Sequence, residues 1–199
     1  MWEPPSEATA ALFREGIERL LASGGETFFE RIDEASLAQH SPEVGEDPAL
    51  LASFRRANRA LIMHWVVANL EAPGTEVTPF TGPEFQDLVR DLVRRGLDVQ
   101  ALEPFRSGQN AAWEAWMALA FELTDDAAEL RELLDVSARS IFAYVEATMA
   151  ATVELIAHER AELALGEVDD ARCPEDQHDP DGDEAVHHAA HDAVEDDLL

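Results

Sequence analysis

From the N-terminus to about residue 168, apolar residues recur with the period of a helix, and no convincing run alternates with the period of two expected of a half-buried strand. Over residues 6–23 the pattern sets Phe13, Ile17, Leu20 and Leu21 on one face, and Gly24-Gly25 reads as its stop. A second helix is predicted over residues 26–39, with Phe28, Phe29 and Ile32 inward. Asp47-Pro48 has the form of an N-cap followed by proline at the first helical position, and it opens a long helix that ends near Glu71, before Pro73-Gly74. Thr81-Gly82-Pro83-Glu84 matches a capping box. Phe85, Leu88, Val89, Leu92 and Val93 follow at helical spacing, and Gly96 closes that helix.

Asp98 is predicted to cap a fifth helix with Leu102, Phe105, Ala112, Trp113, Trp116, Met117 and Ala120 inward and Pro104 in its first two turns, where a lost hydrogen bond is cheapest. Thr124 is predicted to cap the last helix, which Gly166 stops. There Leu130, Leu134, Ile141, Val145, Thr152 and Leu163 form one face, while Leu133, Phe142, Tyr144 and Val153 lie off it. A helix that is apolar on more than one side needs more than one partner, either core helices or a second chain. The pattern therefore predicts an all-α chain: a single globin-like or bundle-like domain of six to seven helices over residues 1–168.

Composition changes at residue 169. Residues 169–199 hold twelve acidic residues against Arg172 and no aromatic, which cannot offset the entropy of ordering, so a disordered acidic tail is expected. The whole chain carries 42 acidic and 14 basic residues, every one of the latter an arginine, for a net charge of -28. That balance disfavours a polyanionic partner, and direct nucleic-acid binding is not expected. The small clusters Arg55, Arg56, Arg59 and Arg90, Arg94, Arg95 read as solvated, salt-bridging faces. Cys173 alone makes no intramolecular disulfide, which fits a reducing compartment. The opening residues Met1-Trp2-Glu3-Pro4-Pro5-Ser6 lack a signal-peptide pattern, and the nearly uncharged run over 60–70 falls short of the about 20 apolar residues that span a bilayer. A cytoplasmic location without a membrane segment is expected.

The chemical motifs searched for are missing from the sequence. There is no GxGxxG, GxSxG or HExxH, and a chain without lysine has no P-loop. Cys173 sits among carboxylates that suppress its thiolate, so no catalytic residue is assigned. Glu114 with Glu122, or Glu154 with Glu162, invites comparison with a di-iron bundle, but the Glu-x-x-His spacing such sites need is missing from the body; they read as solvated faces. His64, in Leu61-Ile62-Met63-His64-Trp65-Val66-Val67, reads as a hydrogen-bonded core residue, with haem ligation as its sharper alternative. His158 reads as surface. In the tail, Asp179-Pro180-Asp181-Gly182-Asp183 has its glycine two places early for a calcium loop, and His187 with His191 offers only weak metal binding. Trp113 and Trp116 with Phe121 have the spacing of a core stripe rather than a cofactor box. No metal site and no cofactor are expected, and His64, Trp65 and Trp116 mark the candidate effector pocket.

One stretch resembles a known family. Over residues 88–113, Arg95-Gly96 ends a helix, and Phe105-Arg106-Ser107-Gly108-Gln109 with Trp113 follows on the next. This resembles the N-terminal helical domain of actinobacterial PucR/CdaR-type transcriptional regulators, which is related to the RsbRD N-terminal domain of stress-signalling co-antagonists; the similarity covers roughly residues 10–165. Pro104 stands where that family usually has a small helix former, and Phe105 replaces a commoner Tyr. Gly108 costs about 1 kcal/mol mid-helix relative to alanine, so a close helix–helix approach is expected there.

The resemblance implies a non-enzymatic regulatory or sensor domain acting through protein contacts, with Arg95, Gly96, Phe105, Arg106, Gly108, Gln109 and Trp113 as its structural or regulatory residues. It also implies a homodimer formed through the long helices; an unidentified regulatory protein partner is expected with it, and, because pockets between helices are common ligand sites, a small apolar effector within the bundle. Relatives continue into a helix-turn-helix, whereas only the acidic tail follows Gly166 here, so either a stand-alone module or a truncated regulator is expected. The rival reading is a helical cofactor or metal sensor, with haem on His64 or carboxylate-bound iron.

Overall fold

The computed structural model describes residues 2–38, 42–97 and 103–170, with side chains described except at 23–25, 42–43 and 166–170. Every regular element among them is an α-helix: α1 (Glu7–Leu37), α2 (Pro42–Glu46), α3 (Pro48–Glu71), α4 (Pro83–Arg94), α5 (Glu103–Leu123) and α6 (Ala127–Asp170). The tail beyond residue 170 and the predicted cap Asp98, with Leu102, lie outside the described residues.

Local chemistry accounts for most of the ends. The Ser6 side chain accepts from the Thr9 amide at the start of α1, and Asp47 accepts from the Ala49 and Leu50 amides at the start of α3. At the end of α4 the Leu97 amide reaches the Leu92 carbonyl and the Gly96 amide reaches Val93, a Schellman closure that needs the left-handed Gly96 (φ 70°).

Several boundaries differ from the sequence reading. Gly24-Gly25 does not stop α1: two glycines cost only about 2 kcal/mol of helix propensity together, and both halves of the helix are anchored, by Phe13 and Ile17 before them and Phe29 and Ile32 after. Thr81 is not the cap of α4; Gly82 is, because this shift puts Pro83 at the first helical position. Asp126 rather than Thr124 caps α6, accepting from the amides of Ala128 and Glu129, and α6 continues through Gly166. The short α2 was not foreseen.

α1 and α5 lie antiparallel and very close. A Cβ on Gly16 would stand 2.7 Å from the Trp116 ring, and one on Gly108 would stand 2.5 Å from Ser36 Oγ and 3.3 Å from Ile32 Cγ2. One core cluster gathers Phe13, Ile17, Trp65, Trp116, Leu133 and Tyr144, with the Phe13 ring 5.0 Å from Trp116 and 5.8 Å from Trp65. A second joins Leu50 and Phe54 of α3 to Phe85, Leu88, Val89 and Leu92 of α4. Each fully buried aliphatic or aromatic side chain contributes roughly 1.5–3 kcal/mol relative to exposure.

The buried face of α6 shares only Thr152 with the predicted one. It runs through Leu133, Val136, Ser137, Ser140, Tyr144, Thr148, Thr152 and Glu159, whereas Leu130, Leu134, Ile141 and Val145 flank it and Leu163 is exposed. One 18-residue window within α6 reaches a mean hydropathy of 1.4, long and apolar enough by composition to cross a bilayer, which the expectation drawn from residues 60–70 overlooked. In the fold this helix instead lays its hydroxyl-rich stripe against the other helices.

Candidate functional site

A cavity lies where α1, α3, α4, α5 and α6 meet. It gives the centre of a water-sized sphere about 120 Å3 of room. Engineered apolar cavities of about 150 Å3 bind benzene, so the space is on the scale of one aromatic ring, and because it is not closed on all sides a small substituent can extend from it. Its walls are mainly Leu, Ile, Val, Phe and Trp, and no arginine, histidine, cysteine or carboxylate is among the described residues that line it.

Hydroxyl groups of α6 set the wall. The Trp116 Nε1–H donates to Ser137 Oγ at 2.8 Å, and Ser137 donates to the Leu133 carbonyl at 2.7 Å. The Trp65 Nε1–H donates to Ser140 Oγ at 3.1 Å, and Asn69 joins this group by donating to the Trp65 carbonyl and accepting from Ser140 and the Gly74 amide. Both indoles are therefore fixed in position with their polar edges satisfied. The Tyr144 hydroxyl donates to the Leu61 carbonyl at 2.9 Å, and burial pushes its pKa well above that of an ordinary phenol.

Thr148 stands apart. It is 1% exposed and lines the cavity, and its hydroxyl makes no hydrogen bond. The group lies near enough to the Tyr144 hydroxyl to lower that residue's pKa against the larger rise from burial, but the pair does not meet hydrogen-bond geometry. One turn on, Thr152 donates to the Thr148 backbone carbonyl at 2.7 Å, which leaves the Thr148 side chain as the single open polar point described on this wall of α6.

Of the residues named from the sequence, Trp65, Trp116, Phe105, Gly108, Gln109 and Trp113 all line the cavity. Phe105 packs edge-on against Phe85 at 6.1 Å. Arg106 is exposed, Arg95 pairs with Asp47 at 2.5 Å, and Gly96 serves the end of α4, so these three do not reach the cavity. His64 is a correction: it is not on the cavity wall. Its Nε2–H donates to the Thr78 carbonyl at 3.0 Å and its ring packs, tilted, beside Phe80. Phe121 is a second correction: expected in the core stripe with Trp113 and Trp116, it is 63% exposed.

Glu114, Glu122, Glu154, Glu162 and His158 are all exposed, and no group of three or more metal-ligating side chains converges among the described residues. The arginine clusters meet carboxylates: Arg59 pairs with Glu26 and lies over Phe29, Arg90 bridges Asp87 and Glu159, and Arg95 holds Asp47. Cys173, Asp179, His187 and His191 lie outside the described residues. Sequence reasoning missed Ser137, Ser140, Thr148 and Asn69. Their signal was there, since hydroxyl residues recurring every three to four positions on an otherwise apolar helix mark a contact face, but the apolar residues on either side drew the face one step round.

No curated protein and no solved structure is significantly similar to the chain. The family model of the RsbT co-antagonist protein rsbRD N-terminal domain matches residues 30–173, a span from the second half of α1 through all of α6 that includes most of the cavity wall. The chain belongs to the RsbT co-antagonist protein rsbRD N-terminal domain family.

Proposed function

We propose that this chain is a cytoplasmic, non-enzymatic regulatory module that receives a small effector in its central cavity and answers through protein contacts, first of all with a second copy of itself. The cavity carries this reading: it is walled by five helices at once, so filling it bears on how all five pack, and no carboxylate, histidine, cysteine or arginine is among its described lining residues to activate the hydroxyls there. The family's regulatory character and the motif residues Phe105, Gly108, Gln109 and Trp113 on the same wall support it.

Dimerisation is supported by apolar side chains left outside. Phe142 is 43% exposed and packs edge-on against Trp113 at 5.6 Å, and Val153 is 51% exposed further along α6. Trp113 also lines the cavity, so an outer face on α6 and the inner wall share one aromatic pair. Size-exclusion chromatography with light scattering tests the assembly. A dimer that Phe142→Glu with Val153→Glu converts to a folded monomer is the expected result; a strict monomer at high concentration refutes it.

A further inference from the structure

Thr148 is a buried polar group with nothing to bond. A hydroxyl in a helix ordinarily returns its proton to the carbonyl four residues back, as Thr152 does to Thr148 and Ser137 to Leu133. Thr148 does not, although it is 1% exposed and faces the cavity. Buried polar groups are nearly always bonded, and one left open in a native protein calls for an explanation. Here the open group borders a space large enough for a ligand.

We infer that the cavity takes an uncharged, mainly apolar compound about the size of one substituted aromatic ring, whose single hydrogen-bond acceptor is met by the Thr148 hydroxyl. The inference rests on the reading of the cavity as an effector site. Size follows from the 120 Å3 of free space. Neutrality follows from the lining, which holds no charged side chain among the described residues: an ion transferred there would lose its hydration with no counter-charge to replace it. The acceptor follows from Thr148, because its proton is uncommitted while the neighbouring hydroxyls of Ser137, Tyr144 and Thr152 already donate to backbone carbonyls.

Gln109 adds a second polar group. α5 and α6 run antiparallel, with Trp116 bonded to Ser137 and Trp113 packed edge-on against Phe142. Continuing that register carries Gln109, also on the cavity wall, to the same end as Thr148. The ligand's polar group sits at that end, and its ring lies among the indoles and aliphatic side chains of the remainder.

Three probes of similar size test this on the full chain by titration calorimetry: ethylbenzene, acetophenone and benzoate. Ethylbenzene and acetophenone are expected to bind, and benzoate at least tenfold more weakly than acetophenone. Thr148→Val is expected to weaken acetophenone at least fivefold while leaving ethylbenzene unchanged or tighter, and Thr148→Ser to restore acetophenone binding. If Thr148→Val changes both neutral probes equally, or neither, or if benzoate binds as well as acetophenone, the assigned ligand chemistry is overturned while the cavity remains a binding site. If ethylbenzene and acetophenone both fail to bind the folded wild-type chain, the inference and the effector reading fall together.

Discussion

Ser137 holds Trp116. The indole N–H, on a side chain 4% exposed, has the Ser137 oxygen 2.8 Å away as its hydrogen-bond partner. Ser137→Ala therefore strands a buried donor, which costs about 1–3 kcal/mol. Urea denaturation should show that loss, and Trp116→Phe should lose less when Ser137 is already alanine than when it is not.

Gly16 leaves space for the same indole. An added Cβ would meet Trp116 at 2.7 Å and Leu123 at 2.9 Å, and the ring cannot swing away while Ser137 grips it. Gly16→Ala improves helix propensity by about 1 kcal/mol, yet overpacking of this kind costs about 1–3 kcal/mol. A net loss of stability is the expected outcome, read from the urea midpoint.

Thr148 gives the opposite sign. Thr148→Val keeps the shape and removes a hydroxyl that has no partner, so the ligand-free protein should gain about 1 kcal/mol or stay level. Most core substitutions destabilise, so a drop of 1 kcal/mol or more would contradict the unbonded state of this group.

Glu132 ties α6 to the start of α1. Its carboxylate accepts from the Thr9 hydroxyl at 2.6 Å and from the Ser6 amide and hydroxyl at 2.8 and 2.7 Å. The Thr9 bond first, then the two from Ser6, hold its pKa below the ordinary 4.5. A carboxyl lowered by folding contributes in full above its unfolded pKa, and the contribution disappears as pH falls through the lower folded value. Thermal midpoints of the wild type should therefore fall below pH 4.5 relative to Glu132→Gln, which should be the weaker protein at pH 7 and show a shallower acid decline.

The all-helical architecture was legible because apolar residues recur at helical spacing, sharply over Phe85, Leu88, Val89, Leu92 and Val93 of α4 and only weakly in the longer helices, above all α6. Boundaries were harder where local signals competed with packing. Gly24-Gly25 and Gly166 look like stops, but neighbouring turns hold the helix through the first pair. Trp113 and Trp116 were recognisable as part of a core stripe, from which Phe121 drops out as an exposed residue, and the structure shows the two indoles bordering a hollow. The hollow itself was not legible, because an unfilled volume depends on how five helices meet and no residue type encodes it. Thr148 was invisible for a related reason: one threonine on a long helix differs from another only by what stands within 3.5 Å of its oxygen.

Three of the four tryptophans, Trp65, Trp113 and Trp116, border the cavity, and the fourth, Trp2, lies over Arg139 near the chain start. The protein thus comes with its own optical gauge. Any occupant that quenches indoles should dim the emission of these three and spare that of Trp2, so entry and exit can be followed in real time on the unlabelled polypeptide.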